Sequence, residues 1–377
     1  MIAVAAATAA AALTLDAAGG RAVERTPNGT VYGALPGALP PSFSYRYNDT
    51  FVGWPVRPQH AQHPIRGSFL DPRGADNDGL SGYHFGIDVN VDDRRPGGGA
   101  PVGLSHRVYA VESGVVTEPV NDPTRSCGNR RLDIGHFAYW HTSPIVHVGQ
   151  RVSGGQQIGW TCLGEWHVHL SEWQRYRGAR VWVNPLHRGG RLVPFADTLP
   201  PVVAKIRFQT PPATPWHPTV DLLQPDSSRA LLPARLHGLV EVRARVGDPQ
   251  SFLGFLGRNV SWPSLHHPYR LSIEILDAVT RQTVLRRTSF QSDQLPQTPY
   301  LVHYAPGTSQ NSSLGECVGP RPALDCAGAY WFRPLSRFRQ EFWDTRRVPN
   351  GRYTVVVRSA DISGNIGQRR QAVVVSN

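Results

Sequence analysis

Trp166-His167-Val168-His169-Leu170 is the stretch on which the reading of this chain turns. In an extended strand, residues two apart point to the same face. His167 and His169 therefore look into one site, while Val168 faces whatever the strand packs against. A lone His-x-His in a strand is more often surface or satisfied core than a ligand pair, so its weight comes from what stands upstream. Tyr83-His84-Phe85-Gly86-Ile87-Asp88 offers an imidazole and a carboxylate four positions apart, and Tyr139-Trp140-His141 supplies a further imidazole between the two motifs. Imidazole nitrogen and carboxylate oxygen suit zinc, and a catalytic zinc takes three protein ligands and keeps one position open.

Taken in that order, HxxxD, Tyr-x-His and HxH resemble the zinc-dependent peptidoglycan endopeptidases of the M23 (LytM/lysostaphin-type) family. The resemblance runs over roughly residues 54–173, less than half of the chain. It implies Zn2+ held by His84, Asp88 and His169. It implies His141 and His167 as the two histidines that flank the metal-bound water and do the acid–base or electrostatic work, without saying which is the base. It also implies a metallopeptidase, a hydrolase of peptide bonds in the cross-bridges or stem peptides of the bacterial cell wall. The rival reading is a non-catalytic M23-like module that binds wall or regulates another hydrolase. Relatives of that kind typically lack zinc ligands, whereas all five positions are filled here.

The chain also departs from the family pattern. Leu70 stands where a glycine is expected in Ile65-Arg66-Gly67-Ser68-Phe69-Leu70, and Arg73 comes later than the family's arginine. Residues 121–131, with Cys127, are inserted ahead of Tyr139. The loop before His167 is short, residues 160–166, and carries Cys162, while Glu172 falls one position late. The wall of the cleft is expected to be remodelled accordingly. His136 reads as a strand position and His147 as a surface strand residue. The segments 108–116 and 145–159 alternate around glycines and read as two hairpins.

Length and composition fit two globular units: 377 residues, 40% hydrophobic, 18% charged, and turn-rich with 37 Gly and 33 Pro. Residues 1–25 read as a secretory leader, an apolar Ala-rich run ending in Ala17-Ala18-Gly19-Gly20 that lacks a basic start and is too short to span a bilayer. A plain alanine tract is its rival. With no transmembrane segment, the expected location is secreted or extracytoplasmic. Four cysteines in an exported chain favour two disulfides, and three connectivities are open; pairing by neighbourhood gives Cys127 with Cys162 and Cys317 with Cys326.

Residues 26–198 are assigned to the peptidase-like unit and 199–377 to a second one. The second contains alternating runs at 202–208, 239–246, 271–276, 351–358 and 372–375, which read as an Ig-like or fibronectin-like sandwich. The fold class is thus all-β. Residues 1–201 hold 18 Lys/Arg against 16 Asp/Glu and residues 202–377 hold 21 against 12, so the net +11 lies mainly in the second unit. That charge points to an anionic wall rather than to nucleic acid, for which no motif is present. Whether the unit targets the enzyme or braces it is left open. Asp361-Ile362-Ser363-Gly364-Asn365 reads as a turn, with calcium coordination the rarer alternative.

Overall fold

The computed structural model describes residues 13–14, 23–24, 35–73, 82–91, 99–119, 126–213, 227–250, 265–306, 308 and 330–377. The expected leader lies largely outside these residues, as do Cys317 and Cys326. The fold is all-β: among the described residues there is a single four-residue α-helix, and no helix is long and apolar enough to cross a membrane.

In the first half an eight-stranded antiparallel sheet forms from Ile65–Gly67 (β1), Ile87–Asn90 (β2), Gly114–Pro119 (β4), Arg131–Ile134 (β5), Phe137–Trp140 (β6), Arg151–Val152 (β8), His167–Tyr176 (β10) and Ala179–Val183 (β11). Its order is β8-β4-β5-β6-β10-β2-β1, with β11 on the far half of β10. Leu104–Tyr109 (β3), Gln157–Cys162 (β9) and Thr142–Pro144 (β7) make a smaller sheet in the order β3-β9-β7. The two expected hairpins are therefore not hairpins: β3 and β4 belong to different sheets, and so do β8 and β9. Alternation marks a strand without naming its partner. His147 is exposed but follows β7 in a turn, outside any strand.

Central β10 pairs on both sides, with β2 through His167↔Asn90 and His169↔Asp88, and with β6 through His169↔Trp140. Val168 and Leu170 point into the core with Ile87, Val89, Leu132 and Tyr139, all fully buried. The opposite face is left for the histidines, as the alternation requires.

The second half holds two antiparallel sheets, the arrangement a β-sandwich needs. One comprises Val202–Gln209 (β12), Ala230–Leu231 (β13), Leu239–Pro249 (β14), Leu265–His266 (β15), Tyr330–Phe332 (β18) and Trp343–Asp344 (β19); the other comprises Arg270–Asp277 (β16), Thr283–Gln291 (β17), Gly351–Ala360 (β20) and Ile366–Val375 (β21). Val240, Val242, Ala244 and Val246 from the first sheet share one apolar core with Ile273, Ile275, Val355 and Val357 from the second.

The helix Tyr300–His303 (α1) is tied to β14 by one buried cation. Arg333 is 1% exposed; its guanidinium donates to the Glu241 carboxylate and to the carbonyls of Leu301 and Tyr304. Tyr304 and Tyr330 then reach into the first half: their hydroxyls donate to Leu70 O at 2.8 Å and to Asp71 Oδ1 at 2.7 Å. Further along the same seam, Ile65 N donates to Gln250 Oε1 at 2.9 Å and His267 N to Ser68 Oγ at 2.8 Å. The halves share a buried, hydrogen-bonded boundary that passes under the loop after β1.

Candidate metal centre

Strand register brings Asp88 and His169 face to face across β2 and β10, and His84 enters from the turn just before β2. Ligand atoms of His84, Asp88 and His169 all lie within 4.8 Å of one another. His84 Nε2 is 2.7 Å from His169 Nδ1, and each of these nitrogens is 3.2 Å from Asp88 Oδ1. The three side chains are buried. Two glycines permit this closeness: a Cβ on Gly67 would sit 2.3 Å from Asp88 Oδ2, and one on Gly86 would sit 2.8 Å from His169 Nε2.

Outer contacts fix which atoms face inward. A carbonyl only accepts, so His84 Nδ1–H donates to Ser68 O at 2.8 Å, which turns Nε2 toward His169 and Asp88. His169 Nε2 has the Ser171 hydroxyl at 2.8 Å, which leaves Nδ1 toward the centre. Arg73 Nη2 donates to Asp88 Oδ2 at 2.7 Å and leaves Oδ1 for the histidines. Burial opposes ionisation of Asp88, but the neighbouring His84 and Arg73 outweigh it and hold the carboxyl well below its ordinary range. Burial, with His84 beside it, lowers His169 to about 3, so it is neutral near pH 7. Two imidazole nitrogens and one carboxylate oxygen thus face one another at a single place, each side chain oriented from behind as metal-binding side chains are.

His141 and His167 form a second pair beside this one, ring centroids 4.6 Å apart. His167 Nε2 is 3.7 Å from Asp88 Oδ1, while its Nδ1–H donates to Glu165 O. Burial lowers His167 to about 4. His141 is half-buried and donates from Nδ1 to Gly128 O. Gly128 belongs to a short turn, Cys127–Asn129, and Cys127 is disulfide-bonded to Cys162, whose own backbone N donates to His141 O at 3.0 Å. The turn Cys127–Asn129 and the loop ahead of His167 are thus joined behind His141. Glu165 faces this pair, its Oε2 4.0 Å from His141 Nδ1.

His141, Trp166 and Leu70 all take left-handed backbone conformations, φ 59°, 55° and 69°. Such conformations cost non-glycine residues on the order of 1–3 kcal/mol. At Leu70 this gives the physical reason for the expected glycine. The leucine is held there by its own N–H on His84 O at 2.9 Å and by Tyr304 on its carbonyl.

All five residues singled out in the sequence meet at this place. His136 does not, because its ring lies on Glu112 and against Trp173. Sequence reasoning missed Glu165 and the positions of Arg73 and Arg66, the last of which comes within 3.3 Å of His167 Nδ1. Comparisons of the chain with family models, with curated proteins and with solved structures find no match. The geometry stands on its own.

Proposed function

We propose that this chain is an exported zinc metallopeptidase of the M23 type that cuts peptide bonds of bacterial peptidoglycan. The observation that carries the reading is the convergence of His84 Nε2, His169 Nδ1 and Asp88 Oδ1, each held from its outer side by Ser68, Ser171 or Arg73. An N,N,O set of this kind suits zinc and leaves further positions open. Bound there, zinc would supply Lewis acidity and bring the pKa of a contacting water from about 16 toward 7.

The remaining work falls to the chain's own groups. His167 is neutral, and its Nδ1 proton is committed to Glu165 O, so Nε2 is free to accept a proton. His141 donates Nδ1–H to Gly128 O and likewise keeps Nε2 for proton transfer. One of them takes a proton from the attacking water and returns it to the leaving amine; the other, after taking a proton from solvent on Nε2, steadies the developing oxyanion. Arg73 keeps Asp88 ionised and restricts it to one inward oxygen. The Cys127–Cys162 disulfide supports the extracytoplasmic reading.

The test pairs zinc quantification with mass-spectrometric analysis of muropeptides digested by the purified chain. One equivalent of zinc and new peptide termini are expected from the native protein, and neither from His84→Ala. Stoichiometric zinc without cleavage would favour the non-catalytic module, and full zinc occupancy in His84→Ala would overturn the ligand set.

A further inference from the structure

A group of three carboxylates lies away from this centre, where the connection between the halves meets both sheets of the second. Asp197 sits on that connection, Asp248 near the end of β14, and Asp361 in the turn between β20 and β21. One carboxylate oxygen from each comes within 4.8 Å of the others. We propose that Asp197, Asp248 and Asp361 bind a calcium ion that fastens the connecting segment to the two sheets.

Asp248 points most directly to a cation. It is 8% exposed, its Oδ1 is enclosed with no hydrogen-bond partner, and among the described residues no Lys, Arg or His forms an ion pair with it. A buried carboxylate left in this state is costly unless something positive satisfies it. Asp361, 2% exposed, is held by Asn365, which donates from N to Oδ1 at 2.8 Å and from Nδ2 to Oδ2 at 2.6 Å. The same amide donates to Asp197 O at 2.8 Å. Asn365 therefore positions the group without cancelling any of its charge. Burial first, and then the neighbouring carboxylates, push Asp248 well above its ordinary range, as expected of an acid awaiting a counter-charge.

The donors are all oxygen, and they come from three separate segments. Calcium accepts such sets, with six to eight oxygens in adaptable geometry, whereas magnesium demands a tighter octahedron. The pocket they line with Gln250 and His266 has a volume of about 40 Å³, enough for an ion with water completing its shell. None of this depends on the peptidase reading.

The experiment is equilibrium dialysis of the full-length protein against calcium chloride, after chelating resin has removed divalent ions, with a thermal melt at each concentration. One calcium is expected, with a Kd on the order of 10⁻⁴–10⁻³ M, as in extracellular modules, and a melting temperature that rises with calcium. Asp248→Asn should weaken uptake at least about tenfold and should raise the melting temperature of the calcium-free protein, because the amide does not carry the cost of burying a carboxyl that ionises freely in the unfolded chain. If that variant does not fold, Asp361→Asn gives the same binding readout. Absence of saturable uptake by the native chain up to about 5 mM, or unchanged affinity in the variants, would overturn the proposal.

Discussion

Along one side of the centre, His84 leans on Ser68 O, in a loop held by Tyr304, Tyr330 and the backbone of His267, all from the second half. Along the other side, His141 leans on Gly128 O, in a turn closed by Cys127–Cys162 within the first half. Both walls use a backbone carbonyl to set an imidazole tautomer. They differ in how the carbonyl is kept in place, by a buried long-range seam in one case and by a covalent link in the other. On the function proposed above, the His84 wall, which would hold the metal, should fail when distant packing fails, and the His141 wall, which would move protons, when a single bond is cut.

The strongest challenge to that contrast is truncation after Pro201. It strips the Ser68–Arg73 loop of every brace from the second half and exposes its apolar partners. A chain of this kind is expected to lose cooperative melting and to retain less than about a tenth of its zinc, since several buried polar groups lose partners at about 1–3 kcal/mol each. Zinc content and a thermal melt of the fragment would decide it. A fragment with full zinc would show the seam to be dispensable.

Next in size is the effect of point changes on the opposite wall. His141→Ala and His167→Ala should keep one zinc and a near-native melting temperature while turnover falls on the order of 10²–10⁴-fold. Zinc loss in either variant would make that residue a ligand. Replacing both Cys127 and Cys162 by serine is the covalent counterpart. The closed loop spans 35 positions, for which the chain-entropy model gives about 3–4 kcal/mol of stability. A denaturant melt measures that loss, and turnover should fall further than zinc content does. Parallel losses of the two would erase the distinction between the walls.

Acid gives the smallest effect. Burial lowers His267 and His303, both at the seam, to about 3. The unfolded chain takes up protons as pH drops through about 6.5 while these folded imidazoles do not, so the stability they contribute above that value is lost on acidification. At pH 5 the loss is about 2 kcal/mol for each. His303→Gln should flatten the pH dependence of a chemical melt between pH 7 and 5, roughly the window in which a histidine of the unfolded chain titrates. An unchanged slope would remove His303 from the account.

How far these walls were legible follows from what a sequence encodes. His167 and His169 on one face, and Asp88 within Ile87–Asn90, came directly from alternation and spacing. The pairing of β3 and β4 with other strands did not, because a strand's pattern is silent about its neighbour. Ser68 and Gly128 act through carbonyls, which every residue possesses, so nothing in their side chains advertises the role. Nothing in the sequence sets Tyr304 and Tyr330 apart from the other tyrosines, and their targets lie 234 and 259 positions away. Leu70 is the instructive exception. Its departure from an expected glycine was visible, and the structure supplies the left-handed backbone that explains the expectation.

The Tyr304–Leu70 bond also bears on timing. A ribosome delivers His84, Asp88 and His169 long before it delivers Tyr304 and Tyr330. During that interval the Ser68–Arg73 loop has a leucine where its shape favours glycine, and no hydroxyl to hold it. The ligands are thus made early, while the parts that keep them in register arrive with the last quarter of the chain. A nascent or prematurely terminated product would carry the complete HxxxD and HxH signature and still lack an assembled centre.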